Sequence, residues 1–121
     1  VAIIVSDYET SKKFYTEILG LEVLCETYRE TRRSWKLDLK LNEAGQLEIF
    51  SFPQTPARAS SPEACGLRHL AFRVRDLDGT IDVLATKGVV VEPIRIDENT
   101  GAQFTFFQDP DGLPIELYEV K

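Results

Sequence analysis

The stretch "FTFFQDPDGLPIELYE", residues 104–119, has the pattern of two β-strands joined by a tight turn. Apolar and polar residues alternate within its second half, as they do in a strand with one buried face. Between the strands, Pro110 presets its own φ and Gly112 accepts a positive φ, which are the two requirements of a β-turn. The stretch therefore predicts a hairpin near the end of the chain.

The second strand of this hairpin carries a carboxylate among apolar residues. Because side chains alternate along a strand, Ile115 and Leu117 share one face while Glu116 and Tyr118 share the other. A partly buried carboxylate costs several kcal/mol unless it is paired or bound to a metal ion. Glu116 is therefore a candidate for a functional residue.

The same arrangement occurs earlier, in "QLEIFSF" at residues 46–52, where Glu48 takes the place of Glu116. The two halves of the chain align at an offset of 69 residues and then, after one residue is lost, at an offset of 68. The aligned pairs are Ala2 with Ala71, Asp7 with Asp76, Gly20 with Gly88, and Glu48 with Glu116. An internal repeat of this kind predicts two copies of one structural unit.

Each half predicts a strand, a helix and then three strands. The predicted strands cover 1–5, 21–30, 34–41 and 46–52 in the first half, and 67–74, 90–96, 103–108 and 114–120 in the second. The first helix is expected to open with a capping box of Ser6 and Glu9 and to stop at Gly20; the second is expected over 75–88. We therefore expect an α+β fold of two tandem βαβββ modules, 1–53 and 66–121, joined by a loop over 54–65 within a single domain, 1–121.

The only histidine of the chain, His69, lies in the fifth predicted strand. Strand alternation puts it on the mixed face of its module, together with Glu116, whereas Glu48 lies on the mixed face of the other module. Applied to His69, the repeat offset places an equivalent residue at position 0, just before Val1. Two plainer interpretations stay open: a structural histidine, and carboxylates paired with Arg68 or Arg73.

The composition excludes several classes of function. A net charge of -6 argues against nucleic-acid binding and, more weakly, against an anionic membrane surface. No apolar run approaches the roughly 20 residues of a membrane span, and no signal peptide is visible. Cys25 and Cys65 match no metal or redox spacing, so we expect free thiols in a cytoplasmic protein. The chain has no Met and starts inside a predicted strand, so the natural protein is expected to begin upstream.

The segments "AIIVSDYETSKKFYTEILGLEV", "GLRHLAFRV" and the closing "FTFFQDPDGLPIELYE" resemble the vicinal oxygen chelate superfamily, also called the glyoxalase/bleomycin resistance/dioxygenase superfamily, and within it the small bacterial glyoxalase-I-like proteins. The resemblance implies an eight-stranded cup-like mixed sheet with helices on its outer face. It also implies a divalent metal ion (Zn, Ni, Co, Mn or Fe) held by Glu48, His69, Glu116 and a fourth ligand just before Val1.

The resemblance implies a metal-dependent lyase or isomerase that stabilises an enediolate of a small α-oxo or hemithioacetal substrate. Glu116 is then the first candidate for the catalytic base, with Glu48 as the symmetric alternative. The expected pocket residues are Trp35, Phe50, Phe106 and Tyr118. Alternatives within the superfamily are a dioxygenase or an epimerase, both disfavoured by Glu48, and a non-catalytic module that sequesters a drug. The expected partners are a small-molecule substrate and a second copy of the chain in a homodimer.

Overall fold

The computed structural model describes residues 1–121. The chain divides into two compact units, Val1–Ala57 and Arg58–Lys121, hereafter the first and second units. The division falls inside the predicted loop 54–65. No helix in the structure is long and apolar enough to cross a membrane.

The first unit contains one helix and a four-stranded sheet. Its elements are β1 (Ala2–Val5), α1 (Tyr8–Lys13) continued by a π-helical segment (Phe14–Ile18), β2 (Glu22–Arg29), a 3₁₀ turn (Glu30–Arg32), β3 (Ser34–Lys40) and β4 (Gln46–Ser51). The strand order is β1-β4-β3-β2, with β1 parallel to β4 and the other neighbours antiparallel. The last strand of the unit therefore lies in the middle of its sheet.

The second unit repeats this plan. Its elements are β5 (Leu70–Val74), α2 (Leu77–Thr86), β6 (Arg95–Ile96), β7 (Gln103–Gln108) and β8 (Pro114–Glu119). The strand order β5-β8-β7-β6 matches that of the first unit, with β5 parallel to β8. The structure confirms the α+β class and the two βαβββ modules, and it arranges the eight strands as two sheets of four.

The strand predicted over 90–96 is shorter in the structure, where only Arg95 and Ile96 pair with β7. Before them, Glu92 makes an isolated backbone hydrogen bond to Phe106, 2.9 Å from N to O. Pro93 follows, and a proline has no N–H to give to a ladder. The regular pairing therefore begins only beyond this proline.

The helix boundaries confirm the predicted stops and correct the predicted start. Gly20 and Gly88 have φ values of 74° and 80°, which suits glycine after a helix. The first helix is capped by Asp7 rather than Ser6, because the Asp7 Oδ1 accepts a hydrogen bond from the Thr10 backbone N–H at 3.0 Å. Asp76 caps α2 in the same way, through the Gly79 N–H at 3.0 Å.

The register confirms the repeat at the level of single residues. Glu48 lies opposite Ala2 in the first unit, and Glu116 lies opposite Ala71 in the second. On either side of each glutamate the neighbouring strand residues are buried; these neighbours are Leu47, Ile49, Ile115 and Leu117. Each unit therefore has one buried sheet face and one mixed face, and the glutamates belong to the mixed faces.

Candidate functional site

Glu116 stands in the middle of the second unit's sheet. Its cross-strand neighbours are Ala71 on β5 and Phe106 on β7. The residue is half-buried, and its carboxylate takes part in no hydrogen bond or ion pair. A carboxylate that has lost part of its water and gained no partner is available to bind a cation.

His69 lies on the same mixed face, one residue before β5. Strand phase aligns it with Ala71, the residue opposite Glu116. Its imidazole meets the Phe106 ring edge to face, with centroids 5.3 Å apart and planes at 89°. Phe106 is therefore a neighbour of both residues, since its ring contacts His69 and its backbone lies opposite Glu116.

Glu48 has different surroundings in the first unit. Its Oε1 lies 3.2 Å from the Lys36 Nζ, and the same ammonium lies 3.1 Å from Asp38. Hydrogen bonds to Asp38 first, and then to Glu48, raise the pKa of Lys36 above its ordinary value. The alternative in which Arg68 or Arg73 pairs with these carboxylates is not seen, because Glu48 pairs with Lys36 and Arg68 instead pairs with Glu63 at 2.6 Å.

The start of the chain runs beside Glu48. The Val1 carbonyl accepts a hydrogen bond from the Glu48 N–H at 2.8 Å, and Ala2 is the cross-strand partner of Glu48. The repeat aligns position 0 with His69 and Glu48 with Glu116, so position 0 is expected to have the same relation to Glu48 as His69 has to Glu116. The fourth ligand expected at position 0 lies outside the described residues.

Three of the four predicted pocket aromatics lie on the mixed faces. Phe50 lies beneath the Arg29 guanidinium, at 4.8 Å from Cζ to the ring centroid. Phe106 contacts His69, and Tyr118 donates a hydrogen bond to Asp97 at 2.9 Å. These three rings remain candidates for contact with a ligand.

Trp35, the fourth predicted aromatic, lies on the opposite face of its sheet. It follows the phase of the buried Leu37 and stacks on Tyr8 of α1, with centroids 5.1 Å apart and planes at 8°. Trp35 therefore packs between sheet and helix in the first unit, so we leave it out of the proposed pocket.

Sequence reasoning missed two cations on the mixed faces. Lys36 could have been found, since strand alternation in "SWKLDLK" puts it in phase with Asp38. Arg95 lies over the rings of Phe104 and Phe106, with its Cζ 5.2 Å from each centroid. No sequence pattern marks Arg95, because the short strand that carries it begins after an irregular stretch.

Beside His69 the second unit contains an open cavity of about 510 Å³. Its lining includes Arg58, Arg68, His69, Glu92, Arg95 and Phe106. The volume falls within the range of small-molecule sites, which is about 300–1,000 Å³. A ligand in this cavity would touch His69 directly.

Within each unit, the side chains that could donate to a divalent metal ion are too few to form a complete site. Neither unit gathers three or more His, Cys, Asp or Glu side chains in a group that could hold a metal. In the second unit, His69 and the unpaired Glu116 supply one nitrogen and one carboxylate on one face, the ligand types that Zn, Ni, Co, Mn and Fe accept. These two residues fit a metal, and further ligands have to come from outside this pair.

The chain is similar to known proteins over nearly all its length. It is 59% identical over 119 residues to the Bacillus subtilis protein YwkD, covering 98% of this chain and 93% of that protein. It is 56% identical over 119 residues to the Escherichia coli protein YaeR, covering 98% and 92%. The crystal structure of the glyoxalase family protein from Enterococcus faecalis superposes with a TM-score of 0.91 at 53% identity, covering 98% of this chain and 94% of that one.

More distant relatives carry named activities. The probable lactoylglutathione lyase of Vibrio cholerae is 26% identical over 119 residues, covering 97% of this chain and 86% of that protein. The 2-epi-5-epi-valiolone epimerase of an Actinomyces species is 29% identical over 138 residues, covering 97% and 75%. The model of the Glyoxalase/Bleomycin resistance protein/Dioxygenase superfamily matches residues 1–117. The chain therefore belongs to this superfamily.

Proposed function

We propose that the protein is a metal-dependent lyase or isomerase of the glyoxalase I type, acting on a small α-oxo or hemithioacetal substrate. The observation that carries the proposal is the half-buried carboxylate of Glu116, which has no partner and shares its sheet face with His69. Similarity to a probable lactoylglutathione lyase supports the reaction class.

In this proposal His69 and Glu116 hold a divalent metal ion together with Glu48. Support for Glu48 comes from the repeat, which gives it the same register in the first unit as Glu116 has in the second. When bound, the ion polarises two neighbouring substrate oxygens and stabilises the negative charge that develops on them. Lys36 would compete with such an ion for the Glu48 carboxylate, since its ammonium lies 3.2 Å from Oε1.

Proton transfer is assigned to Glu116. Its carboxylate removes the proton from the carbon next to the substrate carbonyl and returns it to the adjacent carbon. The substrate is isomerised without gain or loss of electrons, so no oxidant or second cofactor is needed. Phe106 lies opposite Glu116 and contacts His69 edge to face, so an aromatic ring flanks the proposed site of proton transfer.

The experiment is a metal-dependence assay on the full chain. The protein is stripped with a chelator, refilled with Zn, Ni, Co, Mn or Fe in turn, and assayed with methylglyoxal hemithioacetals of several thiols. We expect activity only after refilling, and a loss of about 10²- to 10⁴-fold in Glu116→Gln, as for removal of a general base. Equal activity in Glu116→Gln would remove this residue from the base role, and failure of every metal to bind would overturn the proposal.

A second candidate is an epimerase, favoured by the similarity to 2-epi-5-epi-valiolone epimerase. The same carboxylate would then return the proton to the carbon from which it came. Solvent deuterium separates the two reactions, because an epimerase places deuterium on the inverted carbon and a glyoxalase-type isomerase places it on the neighbouring carbon.

We also propose a homodimer, as the family resemblance implies. Size-exclusion chromatography with light scattering measures the mass directly against the 13.7 kDa of one chain. A mass near that of one chain at assay concentrations would contradict the dimer.

A further inference from the structure

We propose that the cavity beside His69 binds the oxyanion of the substrate, a carboxylate or a phosphate, and that Arg95 is the residue that holds it. The inference rests on the proposed function, whose substrate it specifies further: an α-oxo compound that carries an anionic group. Methylglyoxal itself is neutral, so in its hemithioacetals the anionic group that Arg95 recognises has to come from the thiol.

Arg95 is the cavity cation that is free to bind. Its guanidinium makes no hydrogen bond or ion pair in the structure. The rings of Phe104 and Phe106 lie beneath it, each 5.2 Å from Cζ, in contacts that leave its N–H donors unused. A fixed guanidinium with open donors matches the paired oxygens of a carboxylate or phosphate.

The other two arginines of the cavity are already engaged. Arg58 donates to Ser60 Oγ at 2.7 Å and to the carbonyls of Leu67 and Arg68 at 2.6 and 2.9 Å, so it fastens the loop that forms the wall. Arg68 is neutralised by Glu63 at 2.6 Å. Both still contribute to the potential, but neither presents a free fork of donors comparable to that of Arg95.

The charge balance of the cavity favours an anion. Three arginines face two carboxylates, those of Glu63 and Glu92. Because Glu63 pairs with Arg68, the positive charges of Arg58 and Arg95 are opposed, among the lining residues, only by the carboxylate of Glu92. In a chain whose net charge is -6, a cavity lined by more arginines than carboxylates favours the approach of an anion.

One ring connects the two ends of the proposed substrate. The Phe106 centroid lies 5.3 Å from the His69 ring and 5.2 Å from the Arg95 Cζ. A molecule that reaches from His69 to Arg95 therefore lies across Phe106, with its oxyanion at one end and its reacting oxygens at the other. The cavity, at about 510 Å³, has ample room for such a molecule.

The test measures anion binding to metal-free protein, so that it does not depend on turnover. Malonate and inorganic phosphate are titrated separately while NMR follows the Arg95 Nε–H and the His69 ring. We expect both signals to shift in the wild type, and Arg95→Gln to weaken binding by about 10- to 100-fold, as for one charge-assisted hydrogen bond. Arg95→Lys should recover part of the affinity, and Arg75→Gln, which removes an exposed arginine outside the cavity, should bind as the wild type does.

Each outcome decides a separate point. Tighter binding of malonate assigns a carboxylate substrate, and tighter binding of phosphate assigns a phosphorylated one. Wild-type affinity in Arg95→Gln, or no binding of either anion, would overturn the inference. The divalent metal affinity of Arg95→Gln, measured in parallel by calorimetry, should equal that of the wild type. Loss of metal binding in the wild type would instead remove the proposed function and leave the anion result standing.

Discussion

Glu48 and Glu116 occupy the same place in two copies of one module, yet their neighbours differ in kind. Across the strand from Glu48 lies Asp38, and Lys36 reaches back to both carboxylates. Across from Glu116 lies Phe106, and no ion pair or hydrogen bond reaches the Glu116 carboxylate. The repeated backbone determines the position of each carboxylate, and the side chains of the facing strand determine whether that carboxylate is paired. One glutamate is held as an ion pair, and the other is left free for chemistry.

The largest expected effect is on turnover and separates the two glutamates directly. At saturating metal, Glu116→Gln should lose about 10²- to 10⁴-fold in kcat, because it removes the unpaired base. Glu48→Gln should lose less in kcat and show its effect mainly in metal affinity. Steady-state kinetics over a range of metal concentrations measures both. A larger kcat loss in Glu48→Gln would reverse the assignment of base and ligand.

The buried neighbours of the glutamates should behave alike, because the two modules share a scaffold. Leu47 and Ile115 precede Glu48 and Glu116, and both are fully buried at 0% exposure. Replacing either with Ala should lower the free energy of unfolding by about 2–5 kcal/mol, through lost burial and an unfilled cavity. Urea unfolding followed by circular dichroism gives the two values. A cost below about 1 kcal/mol for one of them would break the equivalence of the modules.

Lys36 gives the next prediction, which concerns competition for Glu48. In Lys36→Met the ammonium no longer occupies the carboxylate, so divalent metal should bind more tightly, by up to about fivefold for a partly exposed pair. Calorimetric titration of chelator-treated protein measures the change. Lys40→Met is the matched control, since Lys40 lies on the same strand and pairs with Glu43 at 3.3 Å. Weaker metal binding in Lys36→Met would mean that Lys36 orients Glu48 instead of competing for it.

The smallest expected effect is on stability, and it concerns the ion pair between Lys12 on α1 and Glu26 on β2. The Glu26 carboxylate accepts hydrogen bonds from Lys12 at 2.7 Å and from Tyr8 at 2.5 Å, and these lower its pKa. A lowered folded-state pKa stabilises the fold above the unfolded value, near 4.3, and this stabilisation is lost as the pH falls through the folded pKa. The same interaction raises the pKa of Lys12, so the pair persists until the pH rises past about 10.4.

Lys12→Met should therefore cost only about 0.2–1 kcal/mol at neutral pH, because both side chains are about one-third exposed. The difference from wild type should shrink below about pH 4. Lys13→Met, the exposed neighbour on the same helix, serves as control. Thermal melts of the three proteins from pH 3 to 8 test the trend, and a difference that grows on acidification would contradict it.

The elements whose pattern is periodic could be predicted from the sequence. The two module plans, seven of the eight strands and both helix stops follow from alternation, turn residues and glycines that accept positive φ. The short β6 was overestimated, because Pro93 ends a run that looks apolar and extended. Asp7 displaced Ser6 as the cap, since two capping residues in a row leave the choice to tertiary packing.

The candidate site divides along similar lines. Strand phase was enough to predict that His69 shares a sheet face with Glu116. The repeat was enough to predict that Glu48 has the same position in the first sheet as Glu116 has in the second. Alternation in "SWKLDLK" could also have put Lys36 on this face, whereas Arg95 could not be placed, because its short strand follows an irregular stretch. Trp35 lies on the helix side because it shares its phase on β3 with the buried Leu37, a relation that alternation within 34–41 already contained.

The strand order 1-4-3-2 has a consequence for how the protein is made. In each module the glutamate lies on the strand that is synthesised last, and that strand enters between two others already present. Until β4 leaves the ribosome, β1 and β3 have no strand between them, and the same holds for β5 and β7 until β8 leaves it. The glutamate of a module joins its sheet only at that point. Each glutamate thus enters its sheet only with the strand that completes that sheet, so the first module can place Glu48 before the strand that carries Glu116 has been synthesised.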